Sequence, residues 1–216
     1  VAIGKDALAA LTSGERNTAV GYQTLAACID GKNNTAVGYQ ALSQNQNIGD
    51  ANTAVGSKCL YNYDPAANDE GKNTAIGSYS GYELLAGEYN TYVGNDAGYY
   101  NETGDNNTYV GESAGVGVNN NNNSNNTGVG KDSLNDVTTG IQNTCVGSLS
   151  AHALNDGGNN VVIGYNAGGN DVNLEGGDYC VVIGSQADVH TADAQNETAI
   201  GYDCSGVADN SVTLGN

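Results

Sequence analysis

The sequence predicts an all-β chain folded as a parallel β-solenoid of about 13 coils, and three observations predict it. A glycine-centred motif, most often Asn-Thr-Ala-Val-Gly, recurs thirteen times in 216 residues. Its glycines are Gly4, Gly21, Gly38, Gly56, Gly77, Gly94, Gly111, Gly130, Gly147, Gly164, Gly184, Gly201 and Gly215, mostly 17 residues apart, with extremes of 14 and 21. Every one follows an aliphatic residue, and Thr or Val stands three positions before it. A short unit repeated at nearly constant period buries its apolar side only by stacking on the next unit.

The first element of each coil is a strand ending at the glycine. In Asn34-Thr35-Ala36-Val37-Gly38 the β-branched Thr35 and Val37 are two apart and so share one strand face. The expectation is that this Thr/Val face is the core and that the Ala between points outward. The glycine then permits a tight corner. Beyond it a small residue recurs at the third position (Ala7, Thr24, Ala41, Cys59, Ser80, Ala97), followed in five coils by Leu. This predicts a second short strand, hence two-strand coils of about 17 residues, closed by polar returns.

Asn opens nine successive units, including Asn34, Asn52, Asn73, Asn90, Asn107 and Asn143. At the ~4.8 Å spacing of parallel strands, these amides are expected to form a structural ladder, each donating to one neighbour and accepting from the other. The thirteen coils run from the first residue to the last, so residues 1–216 read as one solenoid domain, expected to be a segment of something longer.

Composition agrees with a thin column. Phe, Met and Trp are absent, while Asn and Gly number 32 each. The net charge of -18, with only six Lys and Arg, argues against nucleic acid and anionic membrane surfaces as partners. No apolar run approaches the ~18 residues of a membrane span. The five cysteines, Cys28, Cys59, Cys145, Cys180 and Cys204, are irregularly spaced and contain no CxxC pair. Cys59 and Cys204 occupy the small-residue slot, so buried free thiols are expected.

With these units on the page, Asn-Thr-Ala-Val-Gly-Tyr-Gln-Ala-Leu resembles the left-handed parallel β-roll head repeats of trimeric autotransporter adhesins. It resembles still more closely the repeat arrays of phage and viral tail fibres that precede an intramolecular chaperone domain. The resemblance covers essentially the whole chain. It implies a homotrimer of rolls packed through their Ala-rich strand faces, an extracellular or virion location, and a role in attachment to a host or cell surface. The longer returns depart from the adhesin pattern.

Chemistry-bearing residues are few. Nine of fourteen tyrosines fall between Tyr61 and Tyr109, and Tyr61, Tyr63, Tyr82, Tyr99 and Tyr100 are candidate contacts to a surface glycan. The long returns 61–70 and 169–178 are expected to project as loops. Asp69 and Glu70 are adjacent, yet no calcium-loop, metal-ligand or nucleophile motif accompanies them or His152 and His190. No catalytic residue, metal or cofactor is expected. Two further readings remain at this point. An ice-binding solenoid requires the Thr column to face water, and a tailspike-type polysaccharide depolymerase requires an acid pair in a groove.

Overall fold

A computed structural model describes residues 1–65 and 71–215. The described residues form a β-solenoid without helices. Thirteen strands run from β1 (Ala2–Ile3) and β2 (Thr18–Val20) to β13 (Val212–Leu214), one for each motif glycine. They make a single parallel sheet in strict sequence order. Register follows the repeat: Thr35 pairs with Thr18 and Thr53, Val37 with Val20 and Val55. At ~4.8 Å per rung the sheet is about 60 Å long.

Each coil has one strand, not two. The segment after the glycine, expected as a second strand, is a turn with Gln40 and Leu42 both in the left-handed region (φ 53° and 48°). A strand cannot hold such residues. The segment still ladders between coils: Gln40 N donates to Tyr22 O of the preceding coil (2.9 Å), and Leu42 N to Cys59 O of the next (3.0 Å). The glycine requirement is steric as well as conformational. Gly38 sits at φ 138°, and a Cβ there would collide with the carbonyl of Gly56 one rung on.

The inside and outside of the strand are the reverse of the expectation. The middle residue faces the core: Ala19, Ala36, Ala54, Ala75, Tyr92, Tyr109, Cys145, Val162, Val182 and Ala199 are all fully buried. The flanking Thr and Val or Ile point out, shielded only by their rung neighbours; Ile76 and Val146 are about two-fifths exposed, at 41% and 37%. The reason is volume. Leu25, Leu42, Leu60 and Leu134 from the turns fill the interior, which leaves space for only a small residue behind the strand.

Where the strand centre is large, the turn gives way. Tyr92 and Tyr109 stand in the core with stacked rings, and the position four after each of their motif glycines is Gly98 and Gly115 instead of Leu. A Cβ on either glycine would meet the tyrosine ring. Volume is thus exchanged within a rung, as Ala plus Leu or as Tyr plus Gly, and between adjacent rungs, since Ala75 pairs with Gly81 and the space there is filled by Leu60 and Tyr92 of the neighbouring coils.

Candidate functional site

The asparagine column is a ladder, with the backbone as its main partner. Each Oδ1 accepts the backbone N–H of the next Asn: Asn17 from Asn34 (2.9 Å), Asn34 from Asn52 (2.8 Å), Asn73 from Asn90 (2.9 Å), Asn126 from Asn143 (2.9 Å). Each Nδ2 mostly donates to a corner carbonyl of the following coil, as Asn90 to Gly104 O (2.8 Å) and Asn143 to Gly157 O (2.9 Å). Amide-to-amide bonds are secondary; that from Asn107 Nδ2 to Asn90 Oδ1 is 3.2 Å. The residue before each Asn, such as Asn33, Lys72 or Tyr89, has a positive φ. This local twist aims the Asn side chain at its own corner, and the role is structural throughout.

The ladder changes identity near its end. Cys180 N donates to Asn160 Oδ1 (2.8 Å), and the next ladder position is Glu197, wholly buried. Its Oε2 accepts from His190 N (3.1 Å) and lies 2.9 Å from His190 Nδ1. All five cysteines are buried and unpaired by disulfide. Burial raises the thiols of Cys28, Cys145 and Cys180, and pushes Cys59 from the usual 9.0 up to about 11.

The candidate glycan tyrosines divide. Tyr61, Tyr82 and Tyr99 occupy the fifth position after successive motif glycines and form a column, with centroids 5.3 and 5.0 Å apart and interplanar angles of 0° and 25°. Tyr100 meets Tyr99 edge-on at 4.5 Å. Lys58 Nζ lies 5.1 Å from the Tyr61 centroid and 5.9 Å from that of Tyr82. Tyr63, by contrast, is buried at 1% exposure and cannot touch a glycan. Stacking occupies the ring faces within the column, so only its ends offer a free face. One end opens onto a cleft of about 270 Å³ lined by Asp96, Tyr99, Tyr100, Ser113, Val116 and Asn135. A second cleft of similar volume, lined by Gln23, Ala26, Ala27, Gln40, Ser43 and Gln44, has no aromatic wall.

The long return 169–178 does not project freely. Leu174 is buried in the core, and Asp188, itself 1% exposed, accepts the N–H groups of Asp171 (2.7 Å) and Val172 (2.9 Å). In the return 61–70, the pair Asp69 and Glu70 lies outside the described residues. The polar run 119–126 supplies something the sequence reading missed. Asn121 and Asn123 are buried, and Asn123 Oδ1 accepts from the Tyr109 hydroxyl and from Asn126 Nδ2 (3.2 Å). Asn123 thereby satisfies the one polar atom of a ring placed inside an apolar column, and Asn121 Oδ1 accepts from Asn123 N (3.1 Å) behind it. Among the described residues no group of three or more His, Cys, Asp or Glu is arranged to hold a metal ion, and no helix is long and apolar enough to cross a membrane.

The strand face is a continuous surface that runs the length of the sheet. None of the thirteen strands contains a charged residue, although the chain carries 24 acidic and six basic side chains. Each rung presents a Thr or Val column and a Val, Ile or Leu column. The position just past the motif glycine is mixed: Tyr22, Tyr39, Tyr165 and Tyr202 stand there, 40–66% exposed, but so do Lys5, Glu112 and Lys131, which border the face. No protein-family model, curated protein or solved structure matches this chain.

Proposed function

We propose that this chain is a rigid rod segment of an extracellular or virion fibre, which associates laterally with copies of itself and offers attachment surfaces along its length. The charge-free strand face carries the reading. Elsewhere the rod is strongly acidic, so two copies repel one another on every approach except the one that joins their strand faces. That approach buries two β-branched side chains per rung over about 60 Å. The trimer comes from the resemblance to fibre repeats. The face that would close it is the Thr/Val face, since the Ala face lies inside.

Sedimentation velocity and native mass measurement test this. The expected assembly is three times the chain mass of 21.9 kDa. Substituting Val93, Val110 and Val129 with Lys places charges in the middle of the face and is expected to yield folded monomers. A wild-type monomer at tens of micromolar would refute the reading.

One observation favours a second reading. The nine Thr of the strand column face outward at the regular rung spacing, which meets the requirement of an ice-binding array. A face buried between copies cannot also bind ice. Thermal hysteresis in the wild type, lost when Thr35, Thr91 and Thr144 become Val, would replace the fibre reading.

A further inference from the structure

The tyrosine column ends in a gap one rung deep. The fifth position after the motif glycine is Tyr61, Tyr82 and Tyr99 on three successive coils, and Val116 on the next. Tyr82 covers the Tyr99 ring on the side of the preceding coil, at 5.0 Å. The opposite side faces the coil of Ser113 and Val116, and there the cleft of about 270 Å³ lies. It occupies the place a fourth ring would take. Tyr100 forms a wall, its N–H bonded to Val116 O (2.9 Å) and its ring edge-on to Tyr99. Asp96, Ser113 and Asn135 supply polar groups around the opening, and Asn135 is held there by its Nδ2 bond to Ser113 O (3.2 Å).

We propose that this cleft is a saccharide subsite, seating one pyranose ring against the free face of Tyr99 as the missing rung of the column. The chemistry follows from the lining. A pyranose has one face of C–H bonds, slightly positive, which matches the negative face of an aromatic ring. Its equatorial hydroxyls spread in the ring plane, toward the positions of Asp96, Ser113 and Asn135, where a carboxylate accepts and an amide and hydroxyl both donate and accept. Asp96 already accepts from Asn95 Nδ2, and Asn135 Nδ2 is bonded to Ser113 O, but the second oxygen of Asp96 and the amide oxygen of Asn135 keep capacity that hydroxyls can use and a flat apolar ring cannot. Val116 forms the floor: short enough to leave the gap, apolar enough to pack beneath a C–H face. The proposal supplies the attachment half of the fibre reading and rests on it for its biological setting. Its test uses single-ring ligands, whose binding does not depend on whether the strand faces associate.

Saturation-transfer NMR on the full 216-residue chain, with the methyl glycosides of glucose, galactose, mannose and their N-acetyl forms, reads the site. At least one sugar is expected to receive saturation from the wild type. Val116→Tyr supplies the fourth ring and closes the cleft, and is expected to abolish the transfer while leaving the melting temperature unchanged or higher. Tyr99→Ala and Asp96→Ala are expected to weaken the apparent affinity at least about tenfold. Tyr179→Ala, at an exposed tyrosine on a distant coil, is expected to leave it unchanged. No transfer to any sugar would overturn the proposal. So would retained binding in a folded Val116→Tyr variant, or in a folded Asp96→Ala variant should the former not fold. Saturation of phenol in place of the sugars would show an aromatic site instead and overturn it equally.

Discussion

Exchanging one buried tyrosine for the commoner core composition tests the exchange of volume between strand centre and turn directly. In the coil of Gly94 the core holds Tyr92 and Gly98, where the coil of Gly38 holds Ala36 and Leu42. Tyr92→Ala removes a fully buried ring and leaves a cavity, for which about 3–5 kcal/mol is expected. Gly98→Leu alone drives a side chain into the Tyr92 ring, where even a Cβ has no room, and costs about 1–3 kcal/mol or more. Backbone conformation adds about 1–2 kcal/mol, since a side chain in the left-handed region is strained, a cost that the turn leucines already carry. Gly98 has φ 63°, and Leu42 and Leu60 already stand at 48° and 47°. Together the two changes rebuild the Ala-plus-Leu core, so the double variant should recover at least about 2 kcal/mol of the summed loss.

Recovery is incomplete for two stated reasons. Asn101 Nδ2, which donates to the Tyr92 hydroxyl (2.8 Å), is orphaned in the double variant. Gly81 on the preceding coil also leaves space that the same ring now fills. Asn101 cannot simply be replaced by Leu, the residue at that place in the preceding coil as Leu84, because its Oδ1 also accepts from Gly104 N (2.9 Å), and the exchange would leave that buried N–H unpaired. The assay is urea unfolding followed by far-ultraviolet circular dichroism, with amide exchange of the Tyr92 and Tyr109 rungs as a local probe, because solenoids can open coil by coil. Simple additivity of the two single costs would refute the idea that strand centre and turn share one volume.

Three other outcomes follow from the geometry. Asn143→Ala leaves the buried N–H of Asn160 and the carbonyl of Gly157 without partners and should cost about 2–5 kcal/mol, read as faster amide exchange at Asn160; a loss under ~0.5 kcal/mol would show that water replaces the ladder. Burial raises Cys59 from 9.0 to about 11 and also raises Cys28, Cys145 and Cys180, so the Cys59 contribution is whole below pH 9 and lost as pH rises through about 11; thermal melts should fall over that window, and thiol reagents at pH 8 should label only unfolded chain. Lys in place of Ala54 should unfold its coil, whereas Lys in place of Val93 should leave the circular dichroism spectrum unchanged; equal damage from both would contradict the orientation of the strands.

Most of the fold was legible because a stacked repeat writes its period into the chain. The thirteen glycines gave the rungs, and the Asn column gave the corner. What failed was the sidedness of a three-residue strand. Alternation distinguishes the two faces but does not say which is buried. Hydrophobicity misled here, since it assigned Val and Thr to the core over Ala. Burial in so narrow a column is decided by volume, and Ala is what fits behind a strand when Leu42 or Leu60 already fills the interior. The turn after the glycine failed for another reason: alternating left-handed residues such as Gln40 and Leu42 have no sequence signature when they are neither Gly nor Asn. The glycan candidates were grouped by position in the chain, and column position separates Tyr63 from Tyr61, Tyr82 and Tyr99.

The missing signal for sidedness was nonetheless present, in how two positions vary together within one chain. The site six residues after the strand centre is Gly for both tyrosines (Tyr92 with Gly98, Tyr109 with Gly115) and Leu for Ala19, Ala36 and Ala54 (Leu25, Leu42 and Leu60); Ala75 is followed by Gly81, whose space is taken by Leu60 and the Tyr92 ring of the coils on either side. Even Gly128 pairs with Leu134, and Val162 with Gly168. Two positions exchange volume only if they share a space, so the strand centre and the turn must face one another across the core. The Thr and Val columns trade nothing with any other site, as expected of residues that face outward. The same argument bears on function. Those two columns stay uncharged through thirteen rungs, and β-branched in all but Leu214, while the returns vary in length and charge. Rung-to-rung packing alone favours β-branched residues there, so the uniform face is compatible with the lateral association proposed above and does not by itself demand it; the Lys substitutions at Val93, Val110 and Val129 separate the two, because they leave the rungs stacked and remove only what an apposed copy would need.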